Sequence, residues 1–569
     1  MRNSEAKTLR SPGQPGGSYP RPAPSRTGIV ALLAMAILLV LGCTRPSREA
    51  DAFDQATLSA FAATVDGLRA ELKIPAVSAA IVHDQDLVWS AGFGVADLEH
   101  GVLATEDTPY GLASVTKPFA AFLLMRQVEA GRLDLDTPIS EFGLSLGDDR
   151  ITVRHLLSHT SEGIPGAAYA YNGGRYAELS AVIEQLYGDS FRNVLRQEIL
   201  APLDMTDSVL NCGTCGVEYF LSTLSEDDPE RAFERVYRDS AVPYQYDPEY
   251  EVYPVSFPDY ANAAAGLIST VRDLAKFAAA IERDALVSAA TKEMMFTPTR
   301  LRSGAASPYG LGWFTETVDG LQFIWHYGYG AYSSLFLMVP EMRLTFVVLA
   351  NTQNLSRPFP LGRDGVSVLT SPFAWAFYKA FVLGPSLDET FPSIDWTAAT
   401  AEVAAQLSGI ADPDTARRLD HELWTMRMLY AGTGRYELAS QLLAIHNQAF
   451  VQWRATSDDL YQVGRPGSRP DVVTLSAAEL TWWIGRYVLR PDDAGSGLPL
   501  EIEIRANGDD LIGIPSDGTC QRFQALTPTR LMAADNPDLV LVGTGATGPF
   551  PSGYVEYQGA VVGTYDRVE

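Results

Sequence analysis

The chain has 569 residues, enough for three or four domains and for a large buried core. Its apolar fraction, 46%, is that of an ordinary globular protein. A formal charge of −26 at pH 7 argues against a nucleic-acid partner, which would need a basic patch.

Residues 1–27 carry arginines and a lysine, and a small, apolar run follows from Gly28 to Gly42. That is the layout of a signal peptide, and the run is short of the roughly 20 residues that a transmembrane helix needs. Its end, Val40-Leu41-Gly42-Cys43, resembles the bacterial lipobox. Residues 1–43 are therefore expected to direct export, with Cys43 lipidated and residues 44–56 acting as a polar, Ala-rich tether to the membrane. A cysteine that merely ends a signal peptide is the alternative, and export holds under both.

From Leu58 to Leu72 apolar residues recur at helical spacing, which predicts an opening helix. Val77–Val82 and Leu87–Ala91 read as strands joined by a hairpin at His83-Asp84-Gln85-Asp86. Next comes Gly111-Leu112-Ala113-Ser114-Val115-Thr116-Lys117-Pro118-Phe119-Ala120, which holds a Ser-x-x-Lys. Residues three apart share a helix face, so a helix beginning near Ser114 sets its hydroxyl beside the Lys117 amine. Pro118 suits a first turn, the apolar Phe119–Met125 run continues it, and Gly131 gives the stop. Ser114 then lies at a helix N-terminus, where the dipole favours negative charge developing on its oxygen, as a nucleophile requires. The spacing alone is weak, since a second copy, Ser4-Glu5-Ala6-Lys7, sits in the leader.

Two further blocks follow, Leu133-Asp134-Leu135-Asp136-Thr137-Pro138-Ile139 and Ile151-Thr152-Val153-Arg154-His155-Leu156-Leu157-Ser158-His159-Thr160. In this order the three blocks resemble the penicillin-recognising serine hydrolases, in particular their class C β-lactamase, D-alanyl-D-alanine carboxypeptidase and carboxylesterase branch. The resemblance spans residues 57–385. It implies an α+β, β-lactamase/transpeptidase-like fold: an antiparallel sheet closed by the N- and C-terminal segments of the domain, helices on its faces, and an inserted helical half. His155 and His159 lie four apart, as a helical zinc pair would, but Leu156 stands where a zinc hydrolase needs Glu, and both histidines read as structural.

Tyr169-Ala170-Tyr171-Asn172-Gly173-Gly174-Arg175-Tyr176 resembles the family's Tyr-x-Asn motif, with Tyr171 as the motif tyrosine. Gly173 stands where Asn is expected, and Asn172, one residue early, replaces that amide only through a local backbone shift. Tyr171 serves as a base only if Lys117 stabilises its phenolate, and the two are read together. Cys212 and Cys215 suit a local disulfide in an oxidising envelope, which leaves Cys520 over. Residues 213–260 read as long loops that set substrate choice. Ala265–Phe277 reads as a structural, glycine-led helix start. Trp325-His326-Tyr327-Gly328-Tyr329-Gly330 resembles the third family block in its His-x-Gly form. The resemblance implies that Gly328, on an edge strand, lets substrate approach, and that the N–H of Tyr329 joins that of Ser114 in an oxyanion hole. His326 is mostly neutral near pH 7, so a carboxylate-bearing substrate loses a fixed partner and should regain it below pH 6.5 as His326 protonates.

Residues 386–463 read as a helical connector, 464–477 as a linker, and 478–569 as short alternating strands with an Asn507-Gly508 turn. The last resemble a small lipocalin-like β domain, with binding, dimer contact or cover for the hydrolase as its open roles. The whole reads as an exported serine hydrolase that needs no cofactor or metal and forms an acyl-enzyme on an ester, amide or β-lactam carbonyl. Its partners are a small-molecule or peptide acyl substrate and, through the anchor, a membrane. A catalytically idle envelope binding protein on the same scaffold is the second reading, favoured by the displaced Asn172.

Overall fold

The computed structural model describes residues 53–384, apart from 214–216, 226–227, 229–230, 248–250, 360 and 363–365. Beyond residue 384 it describes the helix Pro413–Gly432 with short pieces beside it, Trp483–Leu489, Phe550, and the strands between Glu501 and Arg567. Cys43, Cys215, Cys520, the leader, the tether up to residue 52 and the linker 464–477 lie outside the described residues.

Seven strands build the main sheet: β1 (Ala76–His83), β2 (Asp86–Asp97), β3 (Val102–Leu103), β4 (Phe314–Val318), β5 (Leu321–Gly328), β6 (Ser333–Val339) and β7 (Leu344–Ala350). Their order across the sheet is β3-β2-β1-β7-β6-β5-β4, and every neighbouring pair is antiparallel. The first strand therefore lies beside the last, Ala80 opposite Val347, which closes the sheet by N- and C-terminal segments as expected. Asp84 and Gln85 both have positive φ, +53° and +72°, the geometry of a two-residue hairpin turn between His83 and Asp86.

Strands β6 and β7 are buried along their whole lengths, because helices cover both faces of the sheet, so they read as apolar runs with no polar alternation. On one face α1 (Gln55–Glu71) lays Phe61 against Trp89, Phe346 and Phe381, with ring centroids 5.0 to 5.6 Å apart. On the other, Phe336 of β6 meets Phe277 of α3 (Val271–Glu282), and Phe277 stacks at 3.8 Å on Phe119. Phe119 belongs to α2 (Thr116–Glu129), which is buried from Thr116 through Met125 and forms the axis of the helical half. Gly131, at φ +66°, follows its end, so the predicted stop is where the helix stops.

Of the connector, α4 (Pro413–Gly432) is described. It is tied to the domain of the main sheet by Glu422, which accepts from Trp375 Nε1 at 3.1 Å and Lys379 Nζ at 2.9 Å. Eight antiparallel strands between Gly485 and Arg567 close into a barrel, the first pairing with the last at Tyr487 and Arg567. Asn507 pairs with Asp510, so a two-residue connection joins the second and third of these strands.

Candidate active site

Ser114 lies in a single 3₁₀ turn, Ala113–Val115, that runs directly into α2. Ala113 is held at φ +47°, a left-handed conformation costing a non-glycine residue roughly 1 kcal/mol. Its neighbours over-determine that bend. Thr116 Oγ1 donates to Ala113 O at 2.7 Å, Ser334 Oγ donates to Leu112 O at 2.7 Å, and Leu112 N–H donates to Leu267 O at 2.8 Å.

Gly328 belongs to this support. A Cβ there would stand 2.3 Å from both Leu112 O and Ser334 Oγ, so only glycine lets β5 approach the Ser114 turn. The expectation that Gly328 faces substrate is corrected accordingly: its missing side chain points at the turn, and it does not line the cavity. Nor is β5 an edge strand, although β4 pairs with it only as far as Trp325.

One α-helical turn on, Lys117 is 1% exposed, and its Nζ donates to Ser114 Oγ at 2.9 Å and to Ala264 O at 3.1 Å. Burial lowers its pKa from 10.5 to about 7, because no anion balances the ammonium. Tyr171 lies beside it, with Nζ 5.0 Å from its ring centroid. The Tyr171 hydroxyl is buried and makes no hydrogen bond of normal geometry. Burial holds this phenol well above pKa 10, and only the nearby Ser114 hydroxyl pulls it down. The expected phenolate stabilised by Lys117 is thereby corrected. In a site that penalises either charge the neutral amine and the neutral phenol are favoured together, and the amine is the group that titrates near neutrality.

Asn172 stays out of the cavity. Its Oδ1 caps the short helix Gly173–Ala177 by accepting from Arg175 N–H at 2.9 Å, and its Nδ2 donates to Glu162. The slot of the expected amide is Gly173, which lines the cavity and whose absent Cβ would face Lys117 Nζ at 3.8 Å. His326 also faces inward. It is fully buried, its Nδ1 bonds Tyr327 O at 2.8 Å and its Nε2 bonds Tyr309 O–H at 2.9 Å. A carbonyl can only accept, so Nδ1 carries the proton and Nε2 accepts from the tyrosine. Burial, with Lys117 nearby, holds its pKa well below 6.5, which removes the expected protonation of His326 just under that pH.

The cavity over Ser114 and Lys117 has a volume of about 310 Å³. Gly173 and Gly174 form one side, Tyr329 and Tyr332 another, and Phe257 and Tyr260 belong to its wall from the 213–260 loops. Tyr260 and Tyr329 are about half exposed and mark its rim. A further wall is the segment Ala264–Ile268, which sequence reading treats only as the start of α3. Gly266 at φ +119°, where a Cβ would meet Tyr260 O at 2.2 Å, is the one local sign of that tight approach. Lys117 is the only charged side chain among the described residues of the lining.

His155 and His159, read as structural, are engaged in capping and in ring packing. His155 Nδ1 bonds the Thr152 N–H and hydroxyl in a capping box, and His159 packs its ring on Tyr171 with centroids 4.1 Å apart.

Residues 61–367 match the family described as Beta-lactamase. A penicillin-binding protein of Bacillus subtilis is 24% identical over 315 residues, 47% of this chain and 66% of that protein. The unguisins hydrolase ungD' of Aspergillus campestris is 27% identical over 331 residues, 49% of this chain and 59% of that protein. Esterase EstB of Burkholderia gladioli is 36% identical over 128 residues, 21% of this chain and 33% of that protein. The chain thus spans less than two thirds of the length of each of these relatives.

Proposed function

The chain belongs to the beta-lactamase family of serine hydrolases, and from that premise we propose that it hydrolyses small, uncharged carboxylic esters or amides through an acyl-enzyme on Ser114. The observation that carries this reading is the buried Lys117 amine, 2.9 Å from Ser114 Oγ and able to lose its proton near pH 7. As a free amine Lys117 takes the Ser114 proton while Oγ attacks the acyl carbon. The N–H groups of Ser114 and Tyr329 hold the oxygen that becomes negative, and Tyr171, a neutral phenol, hands a proton to the leaving alkoxide or amine. Lys117 returns its proton to Tyr171, and water, activated in the same way, clears the acyl group. EstB, a named esterase, is among the relatives, in keeping with an ester substrate.

Labelling by a fluorophosphonate probe tests the reading. Wild type is expected to label stoichiometrically and Ser114→Ala not at all. A wild type that does not label is the idle binding protein of the second reading.

We further infer that the protein works in the bacterial cell envelope, held there by lipid on Cys43, as the motif at Val40–Cys43 indicates. No helix among the described residues is long and apolar enough to cross a membrane. In cells fed labelled palmitate, wild type should incorporate label and Cys43→Ser should not; equal incorporation into both refutes the anchor.

A further inference from the structure

We propose that His159 is a positioning residue for Tyr171, gripping it from both sides in the chain and from its ring face. This rests on the catalytic reading of Tyr171 given above. The carbonyl oxygen of His159 accepts from Ala170 N–H at 2.8 Å, and its Nδ1 accepts from Asn172 N–H at 3.1 Å. The two residues flanking Tyr171 are thus bonded to one histidine, whose ring lies 4.1 Å from the Tyr171 ring at 33°. Tyr176 and Tyr309 hold that imidazole in turn, at 5.2 and 4.9 Å.

The arrangement is unfavourable by itself. His159 is a non-glycine residue at φ +53°. Because a backbone N–H can only donate, Nδ1 is the acceptor and the ring proton sits on Nε2, which is buried and has no hydrogen-bond partner. Burial together with Lys117 and His326 keeps the ring neutral, so it is no proton donor to the reaction. Nor does it line the cavity, so it does not touch substrate. A neutral plate with one acceptor aimed at the chain beside Tyr171 accounts for both the strained backbone and the choice of histidine.

Two substitutions separate the parts. His159→Asn keeps an acceptor near the Nδ1 position and tolerates the left-handed backbone, but loses the ring. His159→Phe keeps the ring and loses the acceptor. The measurement is the single-turnover acylation rate with ethyl butyrate, whose alkoxide leaves only when it is protonated and whose rate constant does not depend on the active fraction, alongside kcat and KM. His159→Asn is expected to lower the acylation rate by about 10- to 100-fold with KM within about twofold of wild type, the size of effect that misplacing a reacting group produces. In a Tyr171→Phe background the same substitution should change the rate by less than about twofold, since a residue acting through Tyr171 has nothing left to position. Equal losses in both backgrounds, or an unchanged rate in His159→Asn, overturn the proposal. Should His159→Asn fail to fold, His159→Phe carries the same two-background comparison. A Tyr171→Phe enzyme of full activity overturns the assigned role of Tyr171 itself, and positioning with it; a crippled Tyr171→Phe with additive His159 effects overturns positioning alone.

Discussion

Lys117→Met is expected to lower Ser114 acylation by about 10²- to 10⁴-fold, the range contributed by a positioned base, while leaving the protein more stable near neutral pH. The folded-state pKa of about 7 lies below the 10.5 of an unperturbed lysine, so between those values the unfolded chain binds the extra proton. Lys117 therefore costs stability, fully below pH 7 and progressively less as the pH rises toward 10.5. The full cost is about 5 kcal/mol, from 1.36 kcal/mol for each factor of ten in proton affinity. Methionine fills a similar volume without charge. It also forfeits the bonds to Ser114 Oγ and Ala264 O, offsetting roughly 1 to 3 kcal/mol for each group left unsatisfied. Urea unfolding at pH 6.5 should find the variant the more stable protein, and the gap should close or reverse by pH 10. In wild type, the acylation rate should rise with pH about a midpoint near 7, as the amine is freed. A variant that acylates normally, or whose stability relative to wild type is flat across this pH range, would show that Lys117 is not the buried base.

Much of this site is local enough to be legible in the sequence. Ser114 and Lys117 meet because three residues in a helical turn always do, and Asp84-Gln85 between two apolar runs announces its hairpin. The parts that were not legible depend on residues remote in the chain. The order in which Lys117 and Tyr171 titrate follows from burial under segments such as Ala264 and Tyr176, which no spacing reports. Asn172 matches the motif's residue type one place early because it is an N-cap, a use that its sequence neighbours also permit. His326 finds its partner in Tyr309, seventeen residues earlier, and strand alternation places it on the same side as Gly328, toward the interior. The histidine at 159 was visible in its block, but its grip on Tyr171 required a backbone bend that the sequence does not show.

Uncharged esters are expected to be turned over better than substrates carrying a carboxylate beside the scissile bond, by one to two decades in kcat/KM. A hydrogen bond from a cation to a carboxylate is worth roughly 1.5 to 3 kcal/mol, and that energy maps directly onto discrimination. The described lining offers no cation for it: Lys117 is committed to Ser114 and Ala264, and the 213–260 loops contribute Phe257, Pro258 and Tyr260 to the wall. His326 cannot stand in, because it is buried against Tyr309 and held neutral. The ratio of kcat/KM for p-nitrophenyl butyrate to that for a cephalosporin should therefore exceed about ten and stay level from pH 7 down to pH 5.5. Both substrates depend on the free Lys117 amine alike, so its titration cancels from the ratio. Tyr260→Arg, which sets a guanidinium on the exposed rim, should shift the ratio toward the cephalosporin by about tenfold, the lower end of what a charged hydrogen bond supplies. A wild type that prefers the cephalosporin, or a ratio that falls steadily below pH 6.5, would mean that a cation reaches the cavity after all.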